Sequence, residues 1–548
     1  MNDSTNIELP RRLVSSDIAA DEYWADAYAK AILRVYPDRE KYTVAAGISP
    51  SGIVHFGNFR DVATSFAVMK ALEKHGKKVR FIFSWDNYDR LRKVPQGIPE
   101  SFVEHIGRPL TGVPDPLGEF SSYAERFQTA FVESIVEIGI PLEYRNQTQE
   151  YTSGTYAEEV ILAMQKREEI ADVLLSFMSN KGKEAKGVDP FEYRAKFYPI
   201  TIYSRFSGKD TTKILSYNGD AEVTYKCIET GQEDTVDLRH DFCVKLNWKV
   251  DWAMRWYKEQ VVFEPGGKDH ASPNGSYDVS SALIREIYGS EPPFFAGYEF
   301  VGIQGVDGKM SGSKGGAVSP GQLLEIYEPA LVKWLYLRKT PQQVFNLAFD
   351  SEVIRQYDEF DREVKAMQEG TLPVARYEAL DFAGGSEYKG EIVSFRQAAS
   401  LGQILQWDLE KIKALAVDLG TPYNEEILKS RVAKAKAWLE TYNPSELIVV
   451  FDVINETYAK ELSEEDKKQV RDFREALAGG ELIDIKTLET VMYDIPKDPN
   501  LSQKENSPRQ RAFFKNLYQL LIGRDTGPRL STFLWALDRK KVLDLLDV

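Results

Sequence analysis

A strand that passes directly into a helix through Gly47-Ile48-Ser49-Pro50-Ser51-Gly52-Ile53-Val54-His55-Phe56-Gly57-Asn58 constrains this chain more than any other feature. Before it, Tyr42-Thr43-Val44-Ala45-Ala46 reads as a short buried strand. After it, Val62, Phe66, Met69 and Leu72 fall at three- and four-residue spacing and form one apolar helix stripe. Pro50 to Asn58 is therefore a strand-to-helix turn, whose unpaired N–H groups and helix dipole face whatever anion binds there. His55 can donate to phosphate oxygens, and Gly57 lets a flat base come close to the backbone. A second reading stands beside this one: a Gly/Ser-rich turn in which His55 simply caps the helix.

Far along the chain, Lys309-Met310-Ser311-Gly312-Ser313-Lys314 lies among Gly305, Gly308, Gly315 and Gly316. A Gly-rich loop carrying two ammonium groups suits charge that develops on a pyrophosphate leaving group, because loop closure switches the stabilisation on. The bland alternative is a solvated surface loop.

Taken together, the two segments resemble the HIGH and KMSKS signatures of class I aminoacyl-tRNA synthetases. Here they stand as His55-Phe56-Gly57-Asn58 and Lys309-Met310-Ser311-Gly312-Ser313. Further stretches narrow the likeness: Ser84-Trp85-Asp86-Asn87-Tyr88-Asp89-Arg90, Trp248-Lys249-Val250-Asp251-Trp252, and Phe263-Glu264-Pro265-Gly266-Gly267-Lys268-Asp269-His270. With these, the chain from about residue 20 onward is similar to the class I form of the lysyl-tRNA synthetases.

The resemblance implies an enzyme that activates L-lysine with ATP, held with Mg2+, to lysyl-adenylate and passes it to tRNA(Lys). It implies catalytic roles for His55, Asn58, Lys309 and Lys314. ATP would be bound by Pro50, Gly52, His55, Gly57, Asn58, Lys309, Met310, Ser311 and Ser313. Asn58 stands where the signature has a second His, and an amide still donates hydrogen bonds. Gly312 stands where the signature has its second Lys, so Lys309 or Lys314 must supply that charge.

A lysine ammonium calls for a carboxylate or an aromatic face with few competing cations. Trp248, Asp251, Trp252, Asp269, His270 and Tyr298 are the right types. Asp86 follows the strand Val79-Arg80-Phe81-Ile82-Phe83-Ser84, where α/β sheets place ligand-binding residues. Gly47 and Ser49 resemble positions lining the family's substrate pocket. His270 is expected on a tight turn set by Gly266 and Gly267. Two alternatives stay open: another class I synthetase of glutamate type, which would need an arginine for its side-chain carboxylate, and a catalytically silent tRNA-binding paralogue.

With 548 residues, the chain is too long for one ordinary core. We expect an α/β architecture in four stretches. A Rossmann-type parallel-sheet catalytic domain occupies 1–190 and 246–330. It is interrupted by a β-rich insertion at 191–245 and followed by an α-helical, anticodon-binding domain at 331–548. The stretch Gly107 to Gly118 is too rich in Pro and Gly for a helix, and is either an ordered lid or a plain connection.

In the insertion, Ser204-x-x-Ser207-Gly208 and Cys227-x-x-Thr230-Gly231 carry the spacing of two metal knuckles with a single cysteine. Hydroxyls are poor zinc ligands, so no structural zinc is expected. The pattern is either a zinc ribbon that has lost its metal or a coincidence within hairpins.

Two cysteines, Cys227 and Cys243, rule out a disulfide framework and fit a reducing, cytoplasmic setting. No apolar run suggests a membrane span, and no signal peptide is read at the N-terminus. The net charge of −15 argues against wholesale polyanion binding, DNA included, but a tRNA feels the local field. From 501 to 548, nine Lys/Arg oppose five Asp/Glu, and aromatics at helical spacing (Phe513, Phe514, Tyr518, Phe533, Trp535) are mostly core candidates.

Overall fold

The computed structural model describes residues 11–179, 183, 187–304, 318–418, 420–479 and 484–548. Lys309, Met310, Ser311, Gly312, Ser313 and Lys314 lie outside these. Two compact units emerge, Met1–Ala348 with Glu363–Ser386, and Phe349–Arg362 with Glu387–Val548.

In chain order the strands of the first unit are β1 Tyr42–Ile48, β2 Val79–Trp85, β3 Glu143–Asn146, β4 Ile200–Ile202, β5 Thr212–Tyr217, β6 Glu222–Cys227, β7 Glu233–Asp237, β8 Val244–Leu246, β9 Val261–Gly267, β10 Phe294–Tyr298, β11 Val301–Ile303 and β12 Phe345–Leu347. Five of them form one sheet in the order β10-β9-β1-β2-β3, every pair parallel. The first strand is central, the next two lie to one side and the last two to the other. Connections therefore leave in opposite directions between β1 and β9, which opens a crevice at the carboxyl ends of those two strands. This is the expected Rossmann-type α/β arrangement.

Strands covered on both faces are apolar without alternation, and Val44, Ala45, Ala46, Phe81, Ile82 and Phe83 are all buried. The helix Phe56–Lys74 crosses from β1 to β2 with Val62, Phe66, Met69 and Leu72 all buried. On the carboxyl side of the insertion, the helix Trp248–Glu259 leads into β9, and Ser276–Tyr288 joins β9 to β10.

The fading of β signal after Pro320 missed one element. β12 pairs in parallel with β11, and three residues are too few to show an alternation.

The insertion holds an antiparallel pair, β4 with β8, and a three-stranded antiparallel sheet, β5-β6-β7. Its two short motifs fold alike. The N–H of Gly208 donates to the carbonyl of Ser204 at 2.7 Å, and that of Gly231 to Cys227 at 2.9 Å. Both glycines take a left-handed conformation, φ 70° and 74°, which a side chain would disfavour. The two turns meet: Ser207 Oγ lies 3.6 Å from Cys227 Sγ, and Ser204 and Thr230 also hydrogen-bond the sulfur. The knuckle geometry is thus present, with three hydroxyls around one thiol. Among the described residues, no group of three or more His, Cys, Asp or Glu could hold a metal.

The stretch from Gly107 to Gly118 is ordered against these knuckles. Asp210 donates its N–H to Gly107 at 2.9 Å, and Arg90 pairs with Asp210 at 3.0 Å.

The described part of the second unit is helical. Glu464–Ala478 and Gln503–Ile522 pack around Val470, Phe473, Phe513, Leu517 and Phe533. Phe513 and Phe533 are fully buried and Tyr518 nearly so, as the helical spacing required. A second cluster gathers Val393, Leu401, Ile412 and Leu428. Asn443 precedes the single 3-10 turn Pro444–Glu446, and its side chain donates to the carbonyl of Phe349 at 2.8 Å. Among the described residues, no helix is long and apolar enough to cross a membrane.

Candidate active site

The turn after β1 is built by reciprocal capping. His55 has extended backbone, φ −92° and ψ 164°, and the helix begins at Phe56. The N–H of His55 donates to Asn58 Oδ1 at 3.2 Å, and the N–H of Asn58 donates back to the His55 carbonyl at 2.8 Å. Asn58 is therefore the side chain that reaches back to cap, which leaves its amide N–H2 as a donor at the helix start. The chain on both sides of 305–317 runs beside this turn. Phe56 N–H donates to the Val318 carbonyl at 2.9 Å, and the Val301 carbonyl would lie 3.8 Å from a Cβ at Gly57.

Pro50 and Gly52 are buried within the turn, and Ser51 accepts the Tyr123 hydroxyl at 3.0 Å on its carbonyl. Gly47 and Ser49 remain accessible at the end of β1. Asp86 follows β2 and is tied to β1 by its N–H on the Ile48 carbonyl, 2.9 Å.

One turn into the helix, Asp61 accepts the N–H of Gly47 at 3.1 Å and a hydrogen bond from Tyr298. Burial pushes its carboxyl well above the usual range, and nearby Glu264 pushes it further. Its neighbour Arg60 anchors the same helix to the segment before β12, donating to the carbonyls of Thr340 at 2.6 Å and Pro341 at 3.2 Å. Burial pulls that guanidinium down to about 10.

The far wall comes from the helix Trp248–Glu259. The rings of Trp248 and Trp252 stack at 5.2 Å, and His270 lies 6.0 and 5.7 Å from them. His270 sits in the one-turn helix Lys268–Ala271 rather than on the tight turn expected of it, because Gly266 and Gly267 complete β9. Asp269 is the second residue of that helix and is exposed.

Asp251 is fully buried, so it lies beneath the wall. Tyr151 donates to it at 2.5 Å, and Arg255 and Lys245 stand 3.3 and 3.8 Å away. Arg255 also donates to Asp86 at 2.8 Å and lies over the Trp248 ring at 5.4 Å. Lys245 pairs in turn with Asp89. Burial raises the Asp86 carboxyl although Arg255 opposes it.

The fold thus brings Gly47, Ser49, His55, Gly57, Asn58 and Asp86 to the carboxyl end of β1 and β2. Trp248, Trp252, His270 and Tyr298 approach from the β9 side. Asp61, Arg60, Lys245, Arg255 and Glu264 were not singled out. Glu264 did carry a signal, a charge directly after the apolar run Val261-Val262-Phe263, and buried charges require partners.

A helix-start turn at a parallel-sheet switch point is where α/β folds bind nucleotides. Comparison with known proteins agrees. Residues 22–379 match the family described as tRNA synthetases class I (K). A lysine–tRNA ligase of Pyrococcus horikoshii is 35% identical over 536 residues, covering 96% of this chain and 99% of its own. One from Streptomyces coelicolor is 37% identical over 571 residues, with 96% and 97% covered. Another, from Treponema pallidum, is 31% identical over 538 residues, with 96% and 98% covered. The chain belongs to the class I tRNA synthetases of the lysine type.

Proposed function

We propose that this chain is a lysine–tRNA ligase: it activates L-lysine with Mg2+-bound ATP, then transfers the lysyl group to tRNA(Lys), releasing AMP and diphosphate. The observation that carries the reading is the state of Arg255. It is the guanidinium within the wall, and Asp86 and Asp251 both hold it. A glutamate enzyme would need a cation to receive the substrate side chain, whereas this wall offers carboxylates and indoles.

In the first step a lysine carboxylate oxygen bonds to the α-phosphorus as the bond to the β-phosphate oxygen breaks. In the second, a tRNA ribose hydroxyl attacks the lysyl carbonyl and AMP leaves. Neither step needs a protein nucleophile, so positioning and charge stabilisation carry the catalysis. His55 and the Asn58 amide are the donors to ATP phosphates, Gly57 leaves room at the turn, and Lys309 and Lys314 neutralise pyrophosphate. The helical unit binds tRNA at its anticodon end, supported by the local basic excess of 501–548. Tyr298 and Asp61 shape the amino-acid side of the cleft beside Gly47 and Ser49. Two cysteines, too few for a disulfide framework, fit a reducing, cytoplasmic setting for the reaction.

The test is ATP–pyrophosphate exchange across the amino acids, with and without tRNA. Lysine-dependent exchange is expected, and exchange with glutamate in its place would overturn the reading.

A further inference from the structure

We propose that Glu264 takes the side-chain ammonium of the amino acid, with the Trp252 indole beside it; this rests on the lysine-activating reading above. β9 is an inner strand, between β1 and β10. Of its seven residues only Glu264 and Gly267 are accessible, while the other five are closed off. A carboxylate inside such a strand is unfavourable unless its oxygens are bonded and its charge is met.

The oxygens are bonded. Trp256 Nε1 donates to Glu264 Oε2 at 2.6 Å, and the Trp252 indole donates as well. These donors are neutral, so they orient the carboxylate without neutralising it.

Arg255 acts on Glu264 through space and favours its ionised form, but the close ion pairs of Arg255 go to Asp86 and Asp251. Asp86, Asp89, Asp251 and Glu264 share their surroundings with two cations, Lys245 and Arg255. Lys245 pairs with Asp89 and Asp251, and Arg255 with Asp86 and Asp251. No ion pair to Glu264 occurs among the described residues. Asp61, the other carboxylate near β1 and β9, is bonded by the Gly47 N–H and the Tyr298 hydroxyl and is closed off from solvent, whereas Glu264 is accessible. Glu264 is therefore the carboxylate whose missing partner is a cation from outside, and the stacked Trp248 and Trp252 rings offer an apolar flank to a butyl chain.

A site built this way also rejects wrong substrates. A neutral isostere leaves the carboxylate unpaired, and an acidic side chain is repelled by it.

The experiment measures ATP–pyrophosphate exchange by the full chain with lysine and with norleucine, for wild type, Glu264→Gln and Glu264→Asp. Glu264→Gln retains an oxygen for the indoles, so its melting temperature should hold. We expect kcat/KM for lysine to fall by about 100-fold or more, chiefly through KM, with the KM for ATP within about twofold of wild type. The preference for lysine over norleucine should shrink by a similar factor, and Glu264→Asp should restore part of it. Trp256→Phe, which frees one carboxylate oxygen, should raise the lysine KM by about tenfold and leave that for ATP unchanged. A Gln variant with wild-type lysine KM and undiminished preference overturns the assignment while leaving the lysine reading intact. A wild-type chain that activates no lysine overturns both.

Discussion

The imidazole of His55 occupies the space that a side chain on Gly57 would need: a Cβ there would stand 2.8 Å from His55 Nδ1 and 2.9 Å from its Cε1. The helix start could accept alanine at position 57 on backbone grounds, so the glycine is there for the ring. If His55 serves the α-phosphate transition state, His55→Ala should raise the barrier to adenylate formation by about 2–4 kcal/mol without disturbing the fold. Gly57→Ala should approach the same loss by displacing the ring. The double variant should be no worse than the worse single, since both remove one interaction. Near-normal exchange by His55→Ala would take the residue out of the chemistry.

The stretch 305–317 is flanked on both sides by segments that lie beside the same turn, through Val301 and Val318. Its lysines are therefore expected at the phosphates, with Lys309 and Lys314 sharing the charge that Gly312 cannot carry. Lys309→Ala and Lys314→Ala should each slow adenylate formation and leave lysine affinity nearly unchanged, the mark of an interaction made mainly in the transition state. Gly312→Lys is not expected to increase the rate. If both alanine variants activate lysine at the wild-type rate, the loop is a surface feature.

Purified protein should contain no stoichiometric zinc, and chelators should leave its melting temperature unchanged. Three of the four knuckle positions, Ser204, Ser207 and Thr230, offer hydroxyls where a zinc site needs thiolate or imidazole. One zinc per chain by elemental analysis would refute this.

The same cluster predicts an acidic thiol. Burial pushes Cys227 up, but hydrogen bonds from Ser204, Thr230 and Ser207 together outweigh it and bring the thiol down to about 6. A folded value below the unfolded one means the thiolate's stabilising contribution is complete above the unfolded value. It is lost as the pH falls through about 6. In a Cys243→Ser background, thiolate absorbance should therefore titrate near pH 6. The melting-temperature advantage over Cys227→Ser should grow from about pH 5 to about pH 9. A midpoint in the ordinary thiol range would show that the hydroxyls do not hold a thiolate.

Local signals were legible where the physics is local. The strand before Gly47 and the helix stripe from Val62 to Leu72 are set by side-chain pattern, which the backbone repeats faithfully. The turn motifs at Ser204 and Cys227 were legible from spacing, because a left-handed glycine closes each one. That the two turns meet around one sulfur could not be read, since strands β5 and β6 have to pair first.

What the sequence determined by itself is the two motifs proposed for ATP, the parallel-sheet class and the residue types proposed for a lysine pocket, all carried by short stretches of contiguous chain. Tertiary structure alone decided which charges face the cleft. Asp251 was a candidate by type, yet Tyr151, Lys245 and Arg255 enclose it. Asp61 and Glu264, unremarkable on a helix and in a strand, stand where β1 and β9 part, beyond their last paired residues Val44 and Phe263. The reason is that a charge buried in a protein is defined by its partners. Those partners here come from segments far apart in the chain, brought within hydrogen-bonding distance only by the order of strands in the sheet.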